Sequence, residues 1–128
     1  LNTMAWAMLP LVFGKRFLNQ NRDILDKIVA AIAARNDKKA LIAHFNGIAK
    51  YPSPESFLKT IKCPTLVVSG SDDPIVTPQD AQQLAKDCHG RHEIFPETGH
   101  SIPAESPALF QQVILDFLNQ QPPGASTV

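Results

Sequence analysis

Residues Ile61 to His100, IKCPTLVVSGSDDPIVTPQDAQQLAKDCHGRHEIFPETGH, decide the fold. Thr65-Leu66-Val67-Val68 is a short β-rich apolar run behind Pro64 and ahead of Gly70, so it reads as a buried strand opening onto a turn. The turn carries Ser71-Asp72-Asp73-Pro74. Thr77-Pro78-Gln79-Asp80 then supplies an N-cap, a proline at the first helical position and an acid at the third. A helix is expected from there to about Cys88, with Gly90 as its C-terminal stop. His92 to Phe95 has the make-up of a second short strand, and Pro96-Glu97-Thr98-Gly99-His100 is the loop after it.

Strands joined by a helix lie parallel, with their carboxyl ends on one side of the sheet. Asp73 and His100 therefore both fall at the carboxyl edge, where open α/β sheets keep their chemistry. Taken singly, Asp73 before Pro74 is ordinary turn chemistry and His100 is ambiguous. Their joint placement, with a helix between and a capped helix after, points to a catalytic pair. Asp72 competes for the acid role.

With Gly70 three residues before Asp73, and Gly99 directly before His100, the stretch resembles the C-terminal third of an α/β-hydrolase. The spacing from Gly70 favours Asp73 over Asp72. The resemblance implies an α/β fold: the C-terminal portion of an α/β-hydrolase, in which a helical cap segment is followed by the last βαβα of a mainly parallel sheet. It also implies that Asp73 and His100 are the acid and base of a triad in the chain order nucleophile, acid, histidine. In such a triad the histidine takes a proton from the nucleophile and returns it to the leaving group, while the carboxylate fixes the ring's tautomer. Gly99 is expected to let the backbone turn tightly enough to aim His100. No cofactor and no metal are implied; His89 and His92 flank Gly90 at the opposite sheet edge, and their spacing is not a convincing metal site.

Working outward, residues 1–60 are expected to hold the end of a core strand and the helical cap, 61–120 the last two core strands with their helices, and 121–128 a flexible tail. Leu1-Asn2-Thr3 looks like the tail of a strand that has lost its beginning. The apolar stretch Met4 to Leu18 is either ordinary core or a cap whose large side chains line a pocket. On the second reading Trp6, Met8 and Phe13, with Ile75 and Val76 beyond the acid turn, are the expected substrate-binding residues.

Ile24, Leu25, Ile28, Val29 and Ile32 recur at helical spacing and predict a helix over Asp23 to Arg35. A second is predicted over Lys38 to about Lys50, with Leu41, Ile42, Phe45 and Ile48 on its inner face and His44 as surface or packing. Ser53 caps a short helix from Glu55 to Thr60. After His100, Ser106-Pro107 opens a last helix whose apolar stripe, Leu109, Phe110, Val113, Ile114, Phe117 and Leu118, faces the sheet.

Composition narrows the function classes. At 128 residues, 44% hydrophobic and 19% charged, the chain can bury a core. Twelve basic and 12 acidic residues cancel, and no basic cluster exceeds Lys38-Lys39, so no nucleic-acid or membrane footprint is present and small neutral ligands fit better. Met4 to Phe13 is too short to span a bilayer and is broken by Pro10. Two cysteines, Cys63 and Cys88, give no disulfide framework and suit the cytoplasm.

A nucleophile is not visible. The family's Gly-x-Ser-x-Gly turn does not occur: Ser69 and Ser71 flank Gly70 without a second glycine, and Ser101 simply follows His100. The expected function is therefore that of a C-terminal fragment of a hydrolase, itself inactive, whose parent cleaves a small ester, lactone or thioester through a serine outside this chain. The alternatives are a haloalkane dehalogenase or epoxide hydrolase with an aspartate nucleophile, and a non-catalytic binding protein of the same fold. The expected partner is the missing N-terminal half or a second copy of the chain, because the family's sheet continues past the strand at Thr65.

Overall fold

In the computed structural model, which describes residues 1–120, the strand-helix-strand unit forms as its local signals dictate. Strand β1 (Leu66–Gly70) and strand β2 (Arg91–Phe95) pair in parallel, in register from Leu66 opposite Arg91 to Gly70 opposite Phe95. Between them runs α6 (Pro78–Asp87), opened by a complete capping box: Asp80 N donates to Thr77 Oγ1 at 3.2 Å and Thr77 N donates to Asp80 Oδ2 at 3.3 Å. Ala81 and Ala85 of α6 and the capping Cys88 are buried as the helix packs on both strands. These small residues let helix and sheet approach closely.

The helix stop differs from expectation. His89, not Gly90, takes the left-handed conformation, at φ 54°. His89 N donates to Lys86 O and Gly90 N to Ala85 O, the paired closure of a Schellman motif set one residue earlier.

Five helices precede β1: α1 (Asn2–Val12), α2 (Lys15–Gln20), α3 (Leu25–Arg35, entered through a 3₁₀ turn at Arg22–Ile24), α4 (Lys38–Ile48) and α5 (Glu55–Leu58). Leu1-Asn2-Thr3 is thus not a strand tail. Leu1 is the N-cap, its carbonyl accepts from Ala5 N at 2.8 Å, and α1 is held because Ala5 and Leu9 pack on Val29 of α3. Helix α1 runs through Pro10, which has no N–H to give the Trp6 carbonyl and so leaves the helix one backbone hydrogen bond short. Leu25, Ile28 and Ile32 pack against that core, as the α3 spacing predicts, together with Phe13 and Leu18.

Helix α4 corrects a second expectation. Leu41 reaches the α1–α3 layer, but Ile42, Phe45 and Ile48 are each about half exposed, so the described residues leave much of the predicted inner face uncovered. Strand β1 is likewise only half-buried over Leu66 to Val68, since β2 lies on one edge and the described residues place no strand on the other.

After β2, a short α7 (Ile102–Glu105), not foreseen from sequence, leads into α8 (Pro107–Asn119). Phe110 of α8 lies 6.3 Å from Phe95 between ring centroids, and Val113, Ile114 and Phe117 are half-buried. Leu109 and Leu118, at the margins of the predicted stripe, are exposed. Ser106 precedes α8 but makes no side-chain cap; its hydroxyl instead meets Thr98 Oγ1 at 2.9 Å and accepts from Arg16. The tail expected over 121–128 lies outside the described residues.

Candidate active site

Asp73 and His100 come together at the carboxyl ends of β1 and β2. Three hydrogen bonds lace the two turns: Ser71 N to Phe95 O at 2.9 Å, Asp72 N to Thr98 O at 2.9 Å, and Glu97 N to Ser71 Oγ at 2.8 Å. Gly70 makes this possible, since a Cβ there would lie 2.1 Å from Thr98 O and 2.2 Å from Gly99 O. The histidine loop thus lies directly on the last residue of β1.

Within that frame Asp73 Oδ2 and His100 Nδ1 are 2.8 Å apart. The other carboxylate oxygen, Oδ1, accepts from Ile75 N at 2.8 Å and Val76 N at 3.1 Å. The Asp73 side chain is 4% exposed and that of His100 43%, so the acid is sheathed and the base faces outward. Burial disfavours the charged carboxyl, but the bonds from His100, Val76 and Ile75 outweigh it and hold the pKa below its ordinary 3.8. An ionised carboxylate can only accept, so Nδ1 carries a proton, and in the neutral ring Nε2 then holds the lone pair. Asp72 takes no part in this: it is exposed and its Oδ1 accepts from the Ser71 hydroxyl.

A carboxyl more acidic in the folded than in the unfolded chain stabilises the fold fully above its ordinary value. That contribution is lost as pH falls from there through the lower folded value. Urea midpoints followed from about pH 6 to about pH 2 should therefore drop more steeply below about 3.8 in the wild type than in Asp73→Asn. Parallel profiles would remove Asp73 from the acid response.

The five side chains expected to bind substrate are not gathered. Met8 lines a cavity of about 100 Å³ with Leu1, Met4, Ile32 and Leu41, inside the helical layer. Phe13 stacks on Phe17 at 4.6 Å and borders a groove of about 420 Å³ that Pro10, Lys15, Leu18, Asp72 and Pro74 complete. This groove connects the α1–α2 junction to the acid turn. Trp6 is exposed and lines neither space; Ile75 and Val76 present exposed side chains and serve the site through their backbone N–H groups.

Two of the serines weighed as nucleophiles are committed elsewhere: Ser69 is buried and bonds His92 Nε2 at 2.8 Å, and Ser71 is tied to Asp72 and Glu97. Among the described residues no group of three or more His, Cys, Asp or Glu is placed to hold a metal ion, and no helix is long and apolar enough to cross a membrane.

Sequence reading missed Glu105. Its Oε2 accepts from Gly14 N at 2.8 Å and from Gly99 N at 3.0 Å, in a buried position. Gly99 itself is needed for close approach rather than for a tight turn: a Cβ would lie 2.5 Å from Gly14 N and 2.8 Å from the Phe13 carbonyl carbon, while the left-handed turn residue is Glu97 at φ 50°. An isolated glycine after an apolar helix and an acid between two prolines were the only local signals.

A parallel βαβ unit with an acid after one strand and a histidine after the next, preceded by helices, is the fold of the C-terminal portion of an α/β-hydrolase. Similar arrangements occur in a thermophilic esterase from Thermogutta terrifontis (25% identity, 92% of this chain and 43% of that one, TM-score 0.81) and the enol-lactonase from Burkholderia xenovorans LB400 (24%, 92% and 45%, TM-score 0.80). The Serine hydrolase (FSH1) family matches residues 15–112, and the chain belongs to that family. It is also 32% identical over 105 residues to the putative carbamate hydrolase RutD of Pseudomonas savastanoi pv. phaseolicola, covering 73% of this chain and 40% of that protein. The chain spans less than half the length of these relatives.

Proposed function

We propose that this chain supplies the acid, Asp73, and the general base, His100, of a serine hydrolase that cleaves small carboxylic esters, lactones or thioesters, its serine lying outside these 128 residues. The observation that carries this is the 2.8 Å contact from His100 Nδ1 to a buried, doubly backbone-bonded carboxylate. Nε2 takes the serine proton as the hydroxyl attacks the acyl carbon, and Asp73 stabilises the imidazolium that results. The proton then passes to the leaving alcohol or thiol, and the acyl-enzyme is opened by water through the same base. Membership of a serine hydrolase family favours this over an aspartate nucleophile, and the esterase and lactonase relatives favour acyl rather than haloalkane substrates. The groove between Phe13, Lys15 and Pro74, beside the acid turn, is the proposed wall of the substrate site. Two free cysteines suit a reducing cytoplasm, which subcellular fractionation would check.

The 128-residue chain alone is expected neither to turn over a short aryl ester nor to be labelled by a serine-directed phosphonate, whereas the full-length enzyme does both. Labelling of the isolated chain would place a nucleophile within it. The isolated chain is also expected to self-associate or to bind its N-terminal half, through the open edge of β1 and the apolar face Ile42, Phe45, Ile48. Light scattering giving only a compact monomer of 14.0 kDa at high concentration would contradict this.

A further inference from the structure

We infer that Glu105 is a positioning residue for His100, acting through the backbone on either side of the histidine. The inference rests on His100 being the base. Residues 99 and 101 are both tied to the α1–α2 junction: Gly99 N donates to Glu105 Oε2, which also accepts from Gly14 N, and Ser101 N donates to Val12 O at 3.0 Å. One carboxylate oxygen therefore joins helical segment to histidine loop at a point where Gly14 and Gly99 touch backbone to backbone. Both bonds, at 2.8 and 3.0 Å, have ordinary hydrogen-bond lengths and fix the two backbone N–H groups on one acceptor atom.

Stability alone does not account for this carboxylate. Among the described residues its second oxygen, Oε1, is buried with no hydrogen-bond partner, and a half-satisfied buried polar group is worse for folding than an apolar side chain of the same size. What the carboxylate does provide is a fixed position for the Gly99 N–H, in the residue directly before the one whose ring must meet both Asp73 and a serine hydroxyl. Displacement of a catalytic group by about 1 Å costs on the order of 10²-fold in rate. The chain from Ile102 to Glu105 is a single short helical turn, so the side chain that grips Gly99 is held close to the loop it positions.

The test uses the full-length enzyme with a short aryl ester. Glu105→Leu should lower kcat on the order of 10²-fold with KM little changed. Glu105→Gln, whose amide oxygen can still accept from both N–H groups, should restore kcat to within about threefold, a rescue that follows from the acceptor geometry. The low-field Nδ1–H proton resonance of His100 should be lost in the Leu variant and kept in the Gln variant. Should Glu105→Leu fail to fold, Glu105→Asp keeps the charge but is one methylene too short to reach both donors, and it should show the same kcat loss. Wild-type kcat in the Leu or Asp variant, a change confined to KM, or an equal loss in the Gln variant overturns the inference. His100→Ala assayed alongside separates the two readings: if it is inactive while Glu105→Leu is active, only the role of Glu105 falls, and if it retains activity both fall.

Discussion

Alanine at position 100 is expected to lower kcat of the full-length enzyme by about 10⁴-fold, because no other described side chain is placed to accept the serine proton. Asparagine at position 73 should do comparable damage by a different route. Its carbonyl oxygen would be captured by Ile75 N and Val76 N, the two donors that hold Oδ1, so the amide NH₂ would have to face His100 Nδ1. Facing a donor, Nδ1 must become an acceptor, the ring proton moves to Nε2, and the base can no longer take a proton from serine. A loss of about 10⁴-fold in kcat is the known scale for such a tautomer inversion. Steady-state hydrolysis of a short aryl ester by both variants, with folding checked by circular dichroism, measures this; wild-type rates in either would remove that residue from the triad.

Gly70→Ala should have the largest effect on stability. The new methyl would lie 2.1 Å from Thr98 O, 2.2 Å from Gly99 O and 2.7 Å from Thr98 C, all backbone atoms that no rotamer change can move aside. The histidine loop would have to lift off β1, breaking the Asp72 N to Thr98 O bond and parting the acid from the base. A cost of at least about 3 kcal/mol is expected, seen as a lower urea midpoint at unchanged slope. Gly47→Ala is the contrast: nothing lies within 4 Å of its Cβ position in α4, so alanine there should gain about 1 kcal/mol of helix propensity. Equal behaviour of the two variants would refute the close-approach account of Gly70.

What the sequence made legible was what is local. Thr77, Pro78 and Asp80 start a helix by their own hydrogen bonds, and the β-rich runs on either side of it pair without help from distant residues. Asp73 and His100 followed once that unit was recognised, since strand direction alone brings the two turns to one edge. What stayed hidden depends on contacts far apart in the chain. Gly99 was read as a tight-turn residue because its contact with Gly14 is 85 residues away in sequence, and Glu105 was passed over because its two donors come from separate segments. Leu1 to Thr3 was misread because apolar residues beside asparagine are compatible with a strand end; packing of Ala5 and Leu9 on Val29 makes the segment a helix. The spacing of Ile42, Phe45 and Ile48 did specify one face, but periodicity does not say whether anything covers it.

The bonds around the site also differ in the length of chain each must close. The bonds that hold Asp73 Oδ1 span two and three residues, and the contact with His100 spans 27, a stretch that α6 already shortens in part. The bond from Gly14 N to Glu105 spans 91. Chain entropy opposes the longer closure more strongly, so the acid and base meet early in folding and the clamp on the histidine loop closes last. Pulse-labelled hydrogen exchange during refolding should accordingly protect the amides of Ile75 and Val76 before that of Gly14, and the reverse order would mean that the helical layer nucleates the domain. A newly made chain would thus carry an assembled but loosely aimed acid–base pair for part of its folding time, and would gain its aim only when residue 105 reaches back to residue 14.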